Sequence, residues 1–457
     1  MELPELYQDK MKQLLGEGQY RLYLDSLSEE PQYGIRLNPL KLRKEEQKGV
    51  LSRLGLEKPE SVPWSGQAGY YYDGRKTPAR HPYYYAGLYY LQEPSAMAPG
   101  AFLPVSAGDR VLDLCAAPGG KSTQLGVRLA GSGFLLSNDI SASRAKGLLK
   151  NLELSGIGNS FVSSEPQERL AACFPEYFDK ILVDAPCSGE GMFRRDPSMV
   201  RSWEERGPEA YRPVQEELLL AAGRMLKPGG MLLYSTCTFD ERENEGAVEA
   251  FLKKMPDMEP VPLTPRWGMV QGLDGASLRF FPWLIRGEGH FLSLMRKKGS
   301  AGKENGKTGS AAAEANRMFL NSRREMAEFL EMVKAPLEER GFFWEREGQV
   351  YLLPCPPGQI RPLRFLRTGL FLGSCRKKRF EPSQALALYL KKEEFQNTAD
   401  FSAQDERTVR YLKGETTEDG AGEDGWCLVC TDGFPLGFAK RSRGILKNKY
   451  CPGWRWQ

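Results

Sequence analysis

Between Gly108 and Lys297, short apolar runs alternate with longer amphipathic stretches. "RVLDLC", "GGKSTQLGVRLAG", "GFLLSND", "SASRAKGLLKNLELSG", "NSFVSS", "DKILVDAPC", "QEELLLAAGRMLKPGG" and "MLLYSTC" follow one another along the chain. Parallel strands need long crossover connections and bury both of their faces, so this alternation predicts a mostly parallel, doubly wound α/β sheet between helices. "GHFLSLMRKK" reads as a further strand, an antiparallel edge. Sheets of this kind bind ligands outside the carboxyl ends of their strands, which is where candidate functional residues are sought.

The flanks read differently. Residues 1–100 begin with a helical pattern near Leu3 to Leu27 and a short strand, "YGIRLNPLK", and form an α+β unit. In "HPYYYAGLYYLQEPSAMAPG" the residues Tyr83, Tyr84, Tyr85, Tyr89 and Tyr90 either stack on bases or pack between domains. Residues 101–297 are the sheet region, and 298–316, rich in Gly, Ser and Lys, are expected to be a flexible linker. An α+β unit is expected at 317–394, with hairpin-like "FFWEREGQVYLLP", and a β-rich tail at 395–457.

A chain of 457 residues has room for several such units, and its net charge of +4 leaves any nucleic-acid site to a local patch. The amino-terminal "MELPELYQDKMKQLL" lacks the basic start and apolar run of a signal peptide, and no stretch of about 18 apolar residues occurs. Nine cysteines are an odd number without framework spacing, which suits a reducing compartment. A cytoplasmic protein with no membrane attachment is expected.

"VLDLCAAPGGKS" runs strand, turn, helix. Its "GKS" imitates a phosphate-binding loop, but that motif needs glycine where Cys115 stands, and the glycine spacing of a dinucleotide fingerprint is missing as well. What remains is a tight loop passing close to a ligand, with Gly119 and Gly120 permitting the approach. Asp139, at the end of "GFLLSND", stands where such folds place a carboxylate for ribose hydroxyls, so a ribose-bearing cofactor is expected. Ser141 is the candidate cap of the next helix, and Arg144 in its first turn either pairs with Asp139 or is solvated.

Two further strands end in Asp184, Pro186 and Cys187, and in Cys237. In a parallel sheet these ends, the glycine-rich loop and Lys121 share one cleft. A buried free cysteine is usually a small hydrophobe, the reading given to Cys173 and Cys115, but Cys187 and Cys237 each terminate a strand and precede polar or small residues. No metal is expected, because the chain has only two histidines, His81 and His290, and its one Cys-x-x-Cys, Cys427 and Cys430, has no second pair and would face opposite sides of a strand.

Taken in order, "LDLCAAPGGKS", "SNDISASR", "VDAPCSGEG" and "YSTCTFDERENE" resemble the Sun/Nop-type RNA cytosine-5 methyltransferases over roughly residues 80 to 297. The flanking "GIRLNPLK", "YYLQEPSAM", "GLFLGSCRKKRFEPSQALALYL" and "GFPLGFAKRSRGILKNKYCPGWR" are similar to the bacterial branch typified by methyltransferase F of small-subunit ribosomal RNA, which ends in a PUA-like RNA-binding domain. The resemblance implies a Rossmann-like S-adenosylmethionine methyltransferase core with an α+β N-terminal domain and small α+β and β-rich PUA-like C-terminal domains. It also implies S-adenosyl-L-methionine as cofactor, held by Cys115, Ala116, Ala117, Pro118, Gly119, Gly120, Lys121, Asp139, Arg144 and Asp184. In the family pattern Cys237 is the nucleophile, Cys187 assists product release and Asp184 lies between cofactor and base, with Lys121 beside them. The family's adenine-contacting aspartate is absent from "FVSSEPQERL", where Glu165 is the candidate substitute.

The implied chemistry is covalent catalysis. Cytosine carbon 5 is too poor a nucleophile to accept a methyl group until a thiolate adds to carbon 6. The expected product is 5-methylcytosine in small-subunit (16S) ribosomal RNA, with RNA or the ribosomal subunit as partner and the protein acting as a monomer. Transfer RNA as substrate and a non-catalytic RNA-binding assembly factor are the alternatives; DNA is disfavoured because DNA enzymes attack through the proline-cysteine thiol. In the tail, Lys440, Arg441, Arg443, Lys447, Lys449 and Arg455 are candidates for phosphate contacts, and Trp454 and Trp456 are either core or stacking residues.

Overall fold

The computed structural model describes residues 2–456 apart from 67, 301–308, 360–362, 378 and 421. Its centre is a ten-stranded sheet. Strands Arg110–Asp113, Phe134–Asn138, Ser160–Ser163, Phe178–Asp184 and Leu226–Thr236 are parallel to one another, in the spatial order Leu226–Thr236, Phe178–Asp184, Arg110–Asp113, Phe134–Asn138, Ser160–Ser163. Helices Gly120–Arg128, Ala142–Leu154, Gln167–Cys173 and Arg212–Met225 make the crossovers. The strands are apolar on both faces because both are covered. Leu112, Leu136, Ile181 and Leu232 pack in one cluster with Leu218 and Leu219, whereas Val111, Leu135, Leu182 and Leu233 pack in another with Leu125 and Leu148.

Strand His290–Lys297 is antiparallel to Leu226–Thr236, but it is not the edge expected from the sequence. Leu278–Phe280 and then Val270–Gln271 continue the sheet beyond it. These strands are three and two residues long, too short to show a period, although Leu278 and Phe280 are fully buried.

At the opposite edge, Phe365–Thr368 from the C-terminal region pairs antiparallel with Ser160–Ser163, so the central sheet is completed by a strand about 200 residues away in sequence. The linker expectation also needs correction. Residues 301–308 lie outside the described residues, but Gly309–Asn321 is a helix. The run "SAAAEAN" combines small residues with the best helix former, and Asn316 anchors it by donating to the carbonyls of Glu338 and Gly341, both at 2.7 Å.

The N-terminal region comprises the helical segment Glu5–Leu27, kinked at Gly16 (φ 72°), and a three-stranded sheet of Gly69–Tyr72, Tyr33–Leu37 and Tyr89–Leu91. The C-terminal region carries a four-stranded sheet, whose first hairpin joins Phe342–Arg346 to Gln349–Leu353, and a five-stranded sheet. Glu347 and Gly348 at that hairpin's turn both have positive φ, the geometry that matches strand twist.

The tyrosine stretch takes the packing alternative. Tyr83 and Tyr89 are buried with residues of the C-terminal sheet, Tyr83 donates to Asp432 at 2.8 Å, and Tyr85 stacks on Trp456 with ring centroids 5.3 Å apart. Cys427 and Cys430 are free thiols buried in two different clusters, on opposite faces of their strand. Among the described residues no helix is long and apolar enough to cross a membrane.

Candidate active site

The cofactor-loop candidate follows strand Arg110–Asp113. Leu114 N–H donates to Leu182 O (3.0 Å) and Ala116 N–H to Asn138 O (2.8 Å), which ties the loop to both neighbouring strands. Gly119 has φ 113° and caps the helix that starts at Gly120. A Cβ there would lie 3.2 Å from Leu148 Cδ1, so glycine answers both a backbone and a packing demand. Ser122 Oγ sits 2.6 Å from Asp113 Oδ2, while Asp113 Oδ1 is buried with no hydrogen-bond partner among the described residues. Burial pushes the Asp113 carboxyl up to about 7 against the opposing bond from Ser122. Cys115 packs against the core, and burial followed by the carboxylates of Asp113, Asp184 and Asp139 pushes its thiol up.

Asp139 is buried at the end of its strand, accepting from Ser141 N–H at 2.9 Å and Ala117 N–H at 3.3 Å. Arg144 pairs with it at 3.2 Å and also donates to Ala117 O at 3.0 Å, so the local-pairing alternative holds for Arg144. Ser141 caps its helix. Glu165 is fully buried, but its carboxylate accepts from the Arg364 main-chain N–H and pairs with Arg169 at 3.3 Å. That carboxylate joins the catalytic sheet to the C-terminal strand.

Asp184 has two donors and an imidazole at ion-pair distance. Lys121 Nζ lies 2.7 Å from Oδ2, Ser235 Oγ donates to Oδ1 at 2.7 Å, and His290 Nε2 stands 3.5 Å from Oδ1. Burial works against the charge of Asp184, yet Lys121 and His290 outweigh it and hold the carboxyl well below its usual range. Burial likewise disfavours the Lys121 ammonium, and Asp184 reverses that, so the Lys121 amine is raised.

Beside this pair, Cys187 Sγ and Cys237 Sγ are 3.4 Å apart. The hydrogen bond with Cys237, and then burial, push the Cys187 thiol well above its ordinary value. Two loops hold the sulfurs together. Gly191 N–H donates to Cys237 O at 2.8 Å, and a Cβ on Gly191 would be 2.7 Å from Glu288 O and 2.9 Å from Cys237 O.

Glu243 accepts from Ser188 N–H (3.0 Å), Ser188 Oγ and Gln215 Nε2 (2.8 Å), and burial pushes its carboxyl up to about 7. Glu190 accepts from Trp203 Nε1 at 2.9 Å and Phe239 N–H at 3.0 Å. Lys10, from the N-terminal helical segment, pairs with both Glu190 and Asp240, one on each cysteine loop.

Cys237, Cys187, Asp184, Lys121, the 115–121 loop, Asp139 and Arg144 are thus brought into one neighbourhood, as the strand-end argument requires. Sequence reasoning gave no role to Glu243, Glu190, Lys10 or His290. His290 carried a signal, as one of two histidines in the chain placed at the start of a strand. Lys10 carried none, since its partner Glu190 is 180 residues away.

A mixed sheet whose five central strands are parallel, with polar loops at their carboxyl ends, is Rossmann-like, and together with the matches that follow it places the chain among the S-adenosylmethionine-dependent methyltransferases. A solved structure of a methyltransferase homologue from Pyrococcus horikoshii aligns with 26% identity and a TM-score of 0.55, covering 64% of this chain and 95% of that one. NSun6 from Pyrococcus horikoshii shares the fold at 23% identity and a TM-score of 0.57, covering 65% of this chain and 99% of that one.

Residues 101–296 match the family model of 16S rRNA methyltransferase RsmB/F. Residues 3–94 match the N-terminal domain of 16S rRNA methyltransferase RsmF, 328–390 its first C-terminal domain and 398–456 its PUA domain. The ribosomal RNA small subunit methyltransferase F of Erwinia tasmaniensis is 30% identical over 98% of this chain and 95% of its own length, and that of Shewanella amazonensis is 30% identical over 91% and 90%. The chain belongs to the 16S ribosomal RNA methyltransferase RsmB/F family.

Proposed function

We propose that the protein forms 5-methylcytosine in small-subunit ribosomal RNA through a covalent bond between Cys237 and carbon 6 of the target cytosine. The observation that carries this reading is the pair of sulfurs 3.4 Å apart just beyond the carboxyl ends of two adjacent parallel strands, beside Asp184 and Lys121. Either thiol can donate to the other, and it is the family pattern that makes Cys237, in the threonine-cysteine motif, the attacking atom and Cys187 the group that assists product release.

S-adenosyl-L-methionine fits the residues at the carboxyl ends of the strands, and when bound it supplies an electrophilic methyl group on a positively charged sulfur. Three carboxylates, Asp113, Asp139 and Asp184, ring the loop Cys115–Lys121, and the unpartnered Asp113 Oδ1 is an acceptor free for a cationic, hydroxyl-bearing ligand. In this reading Asp139 takes the ribose hydroxyls, Arg144 steadies Asp139 and Ala117, and Gly119 and Gly120 let the main chain approach. Asp184, kept ionised by Lys121, accepts a hydrogen bond from the edge of the base and stabilises charge that develops on the ring.

The C-terminal sheet supplies RNA contacts. Lys440 and Lys447 are register partners on adjacent strands, and with Arg443, Lys449 and Arg455 they are exposed. Arg441 leaves this set, because it is 1% exposed and bound to Asp419, Asn397 and the Thr398 carbonyl. Mapping methylated cytosines in ribosomal and transfer RNA from cells with and without the gene tests the proposal. Loss of a 5-methylcytosine from small-subunit ribosomal RNA supports it, and an unchanged ribosomal pattern with a lost transfer-RNA mark refutes the choice of substrate.

A further inference from the structure

The ladder between strands Phe178–Asp184 and Leu226–Thr236 ends at the pair Asp184 and Ser235, so it does not reach the two cysteines that follow. Gly191 and Glu190 join the two cysteine loops, through Cys237 O and Phe239 N–H. The residues on either side of each sulfur are held in addition by two consecutive residues, Glu243 and Asn244, both fully buried.

Asn244 straddles Cys237. Its Oδ1 accepts from Thr236 Oγ1 at 2.5 Å and its Nδ2 donates to Thr238 O at 3.0 Å. Glu243 straddles Cys187 with the help of Gln215. The Glu243 carboxylate accepts from Ser188 N–H at 3.0 Å, from Ser188 Oγ, and from Gln215 Nε2 at 2.8 Å, which also donates to Pro186 O at 2.9 Å. Ser188 Oγ and Thr238 Oγ1 share a hydrogen bond at 2.8 Å, which joins the residues that follow the two cysteines. Tyr234 OH donates to Glu243 O at 2.7 Å and ties the dipeptide to the strand that ends at Cys237. Ser188, Gln215, Tyr234, Thr236 and Thr238 are all buried, so water does not compete for these bonds.

We propose that Glu243 and Asn244 are positioning residues for methyl transfer: Asn244 braces the turn at Cys237, Glu243 braces the turn at Cys187, and their adjacency in the chain sets the separation of the two sulfurs. Displacing a reacting group by about 1 Å costs up to about a hundredfold in rate, so such a brace acts on kcat without touching RNA or cofactor. The inference rests on the proposed roles of Cys237 as attacking thiol and Cys187 as the group that assists product release.

The test compares wild type, Glu243→Gln, Glu243→Met, Ser188→Ala, Asn244→Leu and Cys187→Ala in steady-state methyl transfer to transcribed small-subunit ribosomal RNA. Protein–RNA adduct is measured under denaturing conditions, and thermal unfolding is recorded for each enzyme. Gln keeps the brace, since its carbonyl oxygen accepts from Ser188 N–H and Gln215 while its amide donates to Ser188 Oγ; Met keeps the length and removes every bond. Glu243→Met is expected to lose about tenfold in kcat with KM for RNA and cofactor changed by less than about twofold, and to accumulate adduct above the wild-type level, as Cys187→Ala does. Glu243→Gln is expected to keep most of the wild-type kcat. Ser188→Ala removes only the hydroxyl between Glu243 and Thr238 and is expected to show the same adduct in milder form, so the test stands even where Glu243→Met does not fold. Asn244→Leu is expected to lose about tenfold in kcat with no added adduct, because its brace serves the attacking thiol. Partial unfolding lowers turnover and adduct together and so does not produce the rise. A Glu243→Gln enzyme as slow as Glu243→Met, or no added adduct in Glu243→Met and Ser188→Ala beside a Cys187→Ala enzyme that accumulates it, would overturn the positioning role of Glu243. Wild-type kcat or added adduct in Asn244→Leu would overturn that of Asn244. A Cys187→Ala enzyme without adduct would instead overturn the reading of Cys187 on which the inference stands.

Discussion

Replacing Lys121 by Met removes the strongest partner of Asp184 while keeping the length of the apolar stem. The Lys121 and Asp184 side chains are 14% and 26% exposed and meet at 2.7 Å, so the pair is largely removed from water. Deleting one member of a buried pair costs about 3–5 kcal/mol. Here Ser235 remains on Oδ1, His290 stands 3.5 Å from it and the carboxylate is a quarter exposed, which brings the expected loss of folding stability to about 2 kcal/mol in denaturant unfolding.

The pH dependence gives a sharper reading than the magnitude. Wild-type Asp184 is held below the usual carboxylate range, so its contribution is present above the unfolded value of about 3.9 and is lost only as pH falls through the lower folded value. No change from this group is expected in the wild type between about pH 5 and 9. Without Lys121 the burial that opposes ionisation is no longer outweighed, the Asp184 value rises, and an acid limb enters the rate profile above about pH 5. The assay is kcat/KM for methyl transfer across that range for both enzymes. A Lys121→Met enzyme slowed by one constant factor at every pH would refute the claim that Lys121 works by keeping Asp184 ionised.

Two other perturbations separate structural from binding roles. Arg441→Met leaves Asp419 without its buried partner and should destabilise the C-terminal sheet by about 3 kcal/mol in denaturant unfolding. Its effect on the salt dependence of RNA affinity should be nil, whereas Lys447→Glu should leave unfolding unchanged and lower the salt slope by about one phosphate contact. Gly119→Ala puts a Cβ 3.2 Å from Leu148 Cδ1 at a φ of 113°. A strain of about 1–3 kcal/mol in that loop predicts a cofactor affinity reduced roughly tenfold by calorimetry, and unchanged affinity would remove the loop from the cofactor site.

The central sheet was legible because its signal is local: each strand is an apolar run followed by a helix of matching period. The same locality made the strand-end residues Asp184, Cys187 and Cys237 visible, and Asp139 by its distance from the loop. What escaped depends on pairing across the chain. Nothing in "RPLRFLRTG" marks Phe365–Thr368 as a strand of the catalytic sheet, since Arg364 and Arg367 read as solvated until Glu165 and Glu153 are seen beside them. Lys10 likewise looked like any surface lysine of a helix before Glu190 and Asp240 closed around it. Arg441 misled in the opposite direction, because a basic run reads as exposed although alternate residues of a strand face inward. Composition alone likewise could not separate the alanine-rich start of helix Gly309–Asn321 from the Gly/Ser-rich residues before it.

The division of labour between the two sulfurs is tested most directly by incubating Cys237→Ala and Cys187→Ala enzymes with ribosomal RNA and cofactor and separating the products under denaturing conditions. The proposed assignment predicts that Cys237→Ala neither methylates nor becomes attached to RNA, and that Cys187→Ala accumulates a protein–RNA adduct that survives denaturation. An adduct formed by Cys237→Ala, or full turnover by that enzyme, would contradict the assignment of Cys237 as the attacking thiol.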